Sequence, residues 1–412
     1  MAARFHRVLR GVGDTPGFIR KIDLPDREEA TLRSARDDIR ECIRAAFRSV
    51  ADRAPLQKRF LFEGASPAFR TDEFLRGLRP TPRFRGQGSY SYKTLNDPVP
   101  DHTPPQQVDL DDGVFLPTSF MNQGERPALA AKAYFKVIEE ALEPLCKERG
   151  WTLSREKPSC VRVVIDAKTH VDLPLYAIPD EDYANVELLE KSLHSRGMFT
   201  MDSAEFADDS YRNLPDDHIM LARRDGGWIK SDPRKLHDWF QGAVAKHGPH
   251  LRHVCRYLKA WRDHEWEEPE DGISSITLMT MAVRAFDENR TRLDSSREDE
   301  ALLTVAERMP ALLAVTIKNP VVPDPEANLD KDWSTETRRG FIVAAEMLRD
   351  DLRAATAATT ADAVISRLQG CLGGRVPSDP ALVEIVPTEE ARILAQPRAA
   401  VPLAPVVRTT SG

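Results

Sequence analysis

A chain of 412 residues has length for about two to three domains, and 41% hydrophobic with 30% charged residues is the balance of a soluble globular protein. No run of about 18 apolar residues occurs, and the basic start MAARFHRVLRGVGDTPGF lacks an apolar stretch and cleavage site, so the expectation is cytoplasmic residence, with no membrane span or secretion signal. A net charge of −7 disfavours duplex DNA as a ligand, and five singly scattered cysteines (Cys42, Cys146, Cys160, Cys255, Cys371) support neither a zinc knuckle nor a disulfide framework.

The first predicted element is a long amphipathic helix over 26–52. Asp26 and Glu29 have capping-box spacing, and Leu32, Ala35, Ile39, Ile43, Phe47 and Val50 form one apolar face. From about 80 to 230 the pattern is of short alternating strands broken by Pro- and Gly-containing loops. One helix interrupts them, with Pro127 near its start and Leu129, Ala133, Val137, Ile138, Ala141 and Leu142 as its buried stripe. This mixture predicts an α+β core.

After residue 231 the chain reads as helical. Asp232-Pro233 starts one helix, Leu251, Val254, Leu258 and Trp261 line the next, and Ser274-Ser275 open a third with Leu278, Met281, Ala282 and Ala285 inward. Two more are predicted around 335–356 and 360–370, and the Pro-rich stretch 387–412 reads as a flexible tail.

Residues 86–117, GQGSYSYKTLNDPVPDHTPPQQVDLDDGVFLP, carry the chemistry. In VDLDDGVFL, alternation sends Val108 and Leu110 to one face and Asp109 and Asp111 to the other, with roughly 6.6 Å between strand residues two apart. Asp172 alternates in the same way between Val171 and Leu173. Upstream, Gln87, Gly88 and Ser89 form a turn suited to phosphate: glycine admits close backbone approach and the serine hydroxyl bonds a phosphate oxygen. Three strand-borne carboxylates beside such a turn fit two Mg²⁺ ions, or Mn²⁺, in nucleotidyl transfer. Asp109, Asp111 and Asp172 are therefore the expected metal ligands and catalytic residues. An isolated D-x-D is usually a solvated strand face; it is the ordered combination that points to chemistry.

The chain resembles the cGAS/DncV-like nucleotidyltransferases of bacterial antiphage signalling over most of residues 20–380. The resemblance is carried by TPRFRGQGSYSYKTLN, QQVDLDDGVFLP, AKTHVDLPLYAIP, GWIKSDPRKLHDWF, LRHVCRYLKAWRDHEW and GISSITLM. It implies an α+β fold with a polymerase-β-like nucleotidyltransferase core and a helical C-terminal lobe. The implied division is an N-terminal segment and bracing helix (1–55), the core (56–232), the helical lobe (233–386) and the tail (387–412).

The resemblance further implies that Gln87, Gly88, Ser89 and Tyr92 form the donor-nucleotide loop, that Lys259 and Ser275 contact triphosphate, and that Arg162, Ser231 and Asp324 lie near the bases. Plainer readings stand beside these. Tyr92 is otherwise core, Lys259 otherwise a solvated helix face, and Ser231-Asp232 otherwise a helix cap, the reading preferred for Asp232. Ser274 and Ser275 are otherwise helix-start residues, so only one is expected to touch phosphate.

By resemblance the activity is synthesis of a cyclic dinucleotide second messenger from ATP and GTP, 3′,3′-cyclic GMP-AMP first and cyclic di-AMP or another cyclic oligonucleotide second, acting through a separate effector. It also implies conjugation of Gly412 by an E1/E2-like partner, against an ordinary chain end. Two other classes of reading are a template-independent transferase extending RNA or oligoadenylate and a catalytically silent regulatory homologue. Two departures from the family pattern stand out. The Ser89–Asp109 interval is longer, and the Arg162–Asp172 interval is one residue shorter, which in a strand reverses the facing of Arg162 unless a hairpin absorbs the deletion.

Overall fold

The computed structural model describes residues 2–52, 81–99, 106–118, 127–179, 219–267 and 271–386. The tail 387–412, with Gly412, and the loop 100–105 lie outside the described residues.

The N-terminal segment holds β1 (Ala2–Arg4), α1 (His6–Arg10), β2 (Gly11–Val12), β3 (Thr15–Pro16) and α2 (Phe18–Lys21), followed by the long α3 (Asp26–Asp52). The core then runs β4 (Arg83–Gln87), the one-turn α4 (Gly88–Ser91), β5 (Val108–Pro117), α5 (Pro127–Arg149), β6 (Thr152–Ser154), β7 (Cys160–Val164), β8 (Thr169–Ile178), β9 (Met220–Ala222) and β10 (Trp228–Lys230). The helical lobe is α6 (Pro233–His247), α7 (His250–Glu265), α8 (Ser275–Glu288), α9 (Glu298–Leu313), α10 (Thr335–Ala357) and α11 (Ala361–Leu372), ending in β11 (Glu384–Val386). The α+β core and helical lobe expected from the sequence are both present.

Seven strands form one mixed sheet in which β8 is central. It pairs parallel with β5 along one edge. Its other edge is shared, His170–Pro174 facing β7 and Tyr176–Ala177 facing β9. Because β8 has neighbours on both sides and layers on both faces, nine of its ten residues are buried.

One face of the sheet, with Val108, Leu110, Val114, Val171, Leu173 and Leu175, packs against α3 and α5. Leu32, Ala35, Ile39, Ile43 and Phe47 are the buried stripe of α3, as their spacing predicts. Val137, Ile138 and Leu142 do the same for α5, with Ala141 half-buried. Val50, Leu129 and Ala133, assigned to the same stripes, lie outside the described side chains.

The N-terminal region divides between two cores. Leu24 onward joins the sheet, whereas Ala3, Phe5, Val8, Leu9, Phe18, Ile19 and Ile22 pack into the helical lobe. There β1 pairs antiparallel with β11, and Phe5 N donates to Asp299 Oδ2 at 3.0 Å. The helix α9 is not among the predicted elements, although Glu298, Asp299 and Glu300 in its first turn are a local start signal. Arg297 makes no side-chain cap, and Pro310 lies within the helix. The predicted inner faces of α7 and α8 are buried throughout, and all five cysteines are free.

The long Ser89–Asp109 interval is pinched at its neck. Gln106 accepts from Val99 N at 3.3 Å and donates to the carbonyls of Asp263 (2.9 Å) and Trp266 (3.2 Å) at the end of α7.

The bracing helix is locked to the sheet by Arg40. Its Nε donates to Asp112 Oδ2 at 2.6 Å, and a second bond reaches Oδ1. The Asp112 side chain is fully buried, on the sheet face opposite Asp111. Removing one partner strands the other charge, so Arg40→Ala is expected to cost about 3–5 kcal/mol. Urea unfolding checks this; a loss under ~1 kcal/mol would mean the pair does not brace the sheet.

Candidate active site

The site is a consequence of strand register. Gln87 in β4 stands opposite Asp111 in β5, Asp111 stands opposite Asp172 in β8, and Asp172 stands opposite Arg162 in β7. These four residues form one row across four adjacent strands. Two positions along, Asp109 stands opposite His170. Residues in register share a face, and the period of two returns Asp109 to the face of Asp111 while sending Asp112 through to Arg40. Arg162 stays on the Asp172 face, so the shortened interval is absorbed by the tight turn of Asp166–Thr169, where Asp166 Oδ1 accepts from Lys168 N and Thr169 N.

Each carboxylate has a different electrostatic setting. Asp172 is gripped by Arg162, Nε to Oδ1 and Nη2 to Oδ2, both at 2.7 Å. Asp109 is paired with His170 Nε2. Burial pushes the Asp109 carboxyl up, but the bond and charge of His170, with Arg162 and Lys259 behind, outweigh it and hold it below the usual range. Asp111 lacks such a partner. Burial first, then repulsion from Asp109 and Asp172, raises its pKa to about 7. Among the described residues, no three His, Cys, Asp or Glu side chains gather into a ready-made metal cluster. Asp172 is turned onto the Arg162 guanidinium and Asp109 onto the His170 imidazole.

The turn at Gly88 abuts this row. Gly88 has φ +64°, in the left-handed region, and a Cβ there would lie 2.0 Å from Asp111 Oδ2. Only glycine combines that backbone with that approach. Gln87 accepts from the Tyr176 hydroxyl at 3.1 Å, leaving its buried Nε2 unbonded over Gly113. Ser89 is half-buried, and its carbonyl accepts from Thr94 N at 2.9 Å. Tyr92 is buried in the helical-lobe core, with ring centroids 5.8 Å from His237 and 6.1 Å from Phe240.

The helical lobe supplies the rest. Lys259 is buried, where its Nζ donates to the Thr94 carbonyl at 2.9 Å. Burial and then Arg262 lower its pKa to about 8. It therefore holds the stretch after the Gly88 turn from behind and is no solvated helix face. Ser274 caps α8, accepting from Thr277 N at 3.3 Å, while the Ser275 hydroxyl accepts from Arg262 Nη1 at 2.9 Å. Asp232 caps α6 and grips Arg234, as the preferred cap reading has it. Ser231 is half-buried, with its N–H on the Ile219 carbonyl at 3.2 Å. Asp324 is exposed and caps a single 3₁₀ turn. The structure thus brings Gln87, Gly88, Asp109, Asp111, Arg162 and Asp172 together, with Lys259 close enough to act on Asp109. It gives Asp324 no contact with that group.

Sequence reasoning missed His170 and Tyr176. Both lie on the Asp172 face at even spacing from it, a signal present in THVDLPLY.

Comparisons with known proteins place the chain in a family. The model for the cyclic GMP-AMP synthase DncV-like nucleotidyltransferase domain matches residues 82–176, and that for the cyclic GMP-AMP synthase C-terminal domain matches 248–385. The cyclic GMP-AMP synthase of Vibrio cholerae serotype O1 is 32% identical over 323 residues, covering 76% of this chain and 71% of that protein. The enzyme of the same name from Escherichia coli strain TW11681 is 29% identical over 395 residues, 87% and 89% of the two chains. The fold matches the Vibrio cholerae DncV structure bound to the linear intermediate 5′ pppA(3′,5′)pG with TM-score 0.73 and 27% identity, over 94% of this chain and 99% of that one. A point variant of that protein in complex with ATP, GTP and 5MTHFGLU2 matches at TM-score 0.74 and 27% identity, over 94% and 100%. The chain belongs to the DncV-like nucleotidyltransferase family and is a nucleotidyltransferase.

The crowding at Asp111 has a consequence for stability. A carboxyl raised from 3.8 to about 7 on folding contributes stability at low pH that is lost as pH rises through about 7. In metal-free protein, Asp111→Asn should melt above the parent at pH 8, with the gap in Tm shrinking towards pH 4. A gap independent of pH would show that Asp111 is not strained by its neighbours.

Proposed function

We propose that this chain joins ATP and GTP into a cyclic dinucleotide second messenger, 3′,3′-cyclic GMP-AMP being the first choice. The observation that carries the reading is the row Gln87–Asp111–Asp172 with Gly88 against Asp111, in a chain whose relatives bear that activity in their names. Reaction proceeds in two rounds. A ribose hydroxyl first attacks an α-phosphate and expels pyrophosphate; the linear product then turns in the site, and the same step at its remaining triphosphate closes the ring.

The donor set fits divalent cations. It offers three carboxylates, hard oxygen ligands, on one sheet face, Asp111 and Asp172 being direct cross-strand partners. Asp109, Asp111 and Asp172 would hold two Mg²⁺ or Mn²⁺ ions, which when bound withdraw charge from the α-phosphate and acidify the attacking hydroxyl. Asp172 accepts the proton of that hydroxyl. The Gly88 backbone and Ser89 hydroxyl cradle the triphosphate, and the free Gln87 Nε2 offers a donor beside it. Lys259 and Ser275 position the loop and phosphates from the helical lobe. The product then leaves to act on a separate effector in antiphage signalling.

Purified protein incubated with mixed nucleoside triphosphates and Mg²⁺ should yield a phosphatase-resistant cyclic dinucleotide by mass spectrometry. Elongated RNA would instead identify a template-independent polymerase. Asp109→Asn and Asp111→Asn should each reduce turnover by at least about 10²–10³-fold, the scale of losing one electrostatic stabiliser of a transition state. Turnover within threefold of the parent would remove these residues from the chemistry.

A further inference from the structure

We infer that Arg162 is a resident counter-ion competing with divalent cation for Asp172, so that substrate must draw the guanidinium away before the third carboxylate becomes a ligand. The inference rests on the reading of Asp172 as a metal ligand. Its first support is geometric. The two side chains are direct cross-strand partners, and a two-pronged bond at 2.7 Å and 2.7 Å engages both carboxylate oxygens. Neither oxygen is left without a charged donor.

The second support is the contrast with Asp109. That side chain is 53% exposed and bonded by a single imidazole nitrogen, whereas Asp172 is 12% exposed and Arg162 17%. A cation arriving at Asp109 meets open oxygen; at Asp172 it must displace a half-desolvated, fork-matched guanidinium. The third support is that Arg162 has donors to spare. A guanidinium carries five N–H groups and two serve Asp172, so the others are available to a phosphate or base carbonyl of an incoming nucleotide. Nucleotide thus brings both the acceptor that recruits Arg162 and the phosphate oxygens that complete cation coordination. Without nucleotide the third ligand stays capped, which disfavours a loaded but substrate-free site.

The test is Mn²⁺ binding to full-length protein without nucleotide, read from the EPR signal of free Mn²⁺, with melting curves for every variant. Arg162→Gln should tighten Mn²⁺ binding about tenfold or more, the scale of releasing a charged hydrogen-bonded carboxylate. Arg162→Lys, which keeps charge but loses the fork, should show a smaller gain and serves if the glutamine variant does not fold. In the parent, a non-hydrolysable nucleoside triphosphate should tighten Mn²⁺ binding more than it does in Arg162→Gln. Unchanged Mn²⁺ affinity in the folded Arg162 variants, with weakened binding in Asp172→Asn, overturns the inference and leaves the two-cation reading intact. If Asp172→Asn leaves Mn²⁺ affinity unchanged in the Arg162→Gln background, Asp172 is no ligand and the two-cation reading itself fails.

Discussion

The parallel pairing of β5 with β8 is the constraint on which this molecule depends. Its register sets Asp111 beside Asp172 and Asp109 beside His170, and a shift of one residue would send an entire carboxylate set into the apolar layer beneath. That layer enforces the register. Val108, Leu110 and Val114 of β5 and Val171, Leu173 and Leu175 of β8 are all at most 1% exposed, so slippage would expose six aliphatic side chains and bury charges in their place.

Buried charge is handled by pairing throughout. Asp112 is neutralised from α3 and Asp172 from β7, while Glu298 pairs with Arg10, contacts His253 and accepts from the Tyr257 hydroxyl. The last cluster also fastens the N-terminal segment, because Glu298 N donates to His6 Nδ1 at 3.0 Å. Asp111 is left with like charges for neighbours. Burial and these neighbours together disfavour its charged form.

The two lobes are joined through the stretch that follows the Gly88 turn. Thr94 is held by Lys259, Asn96 exchanges bonds with Arg256, and Asp97 is bonded through its side chain by Lys168 and through its carbonyl by Arg375. The Gly88 turn is therefore anchored to sheet and helical lobe together, and Arg33 of the bracing helix donates to the Tyr90 hydroxyl at 2.7 Å. Lys259 fits this better as a strut than as a solvated charge: its burial costs energy that only a dedicated partner offsets.

Local pattern alone determined much of this protein. The face of α3, the helices from Asp232 onward and the alternation of Asp109, Asp111 and Asp172 follow from periods of 3.6 and 2, properties of neighbouring residues. The cap of α6 at Asp232 was legible for the same reason. The helix α9 was passed over although its acidic first turn and the stripe Leu302, Val305, Met309 and Leu312 are local signals; what local pattern could not show is the β1–β11 pair, whose partners lie some 380 residues apart in the chain. Nor could it place Arg162 on Asp172, because a deletion's effect on facing depends on the turn that absorbs it. Residue identity and spacing specified which carboxylates could act. Only the tertiary pairing of strands decided which neighbour each of them meets, because charge–charge contacts depend on distances across the sheet and not along the chain.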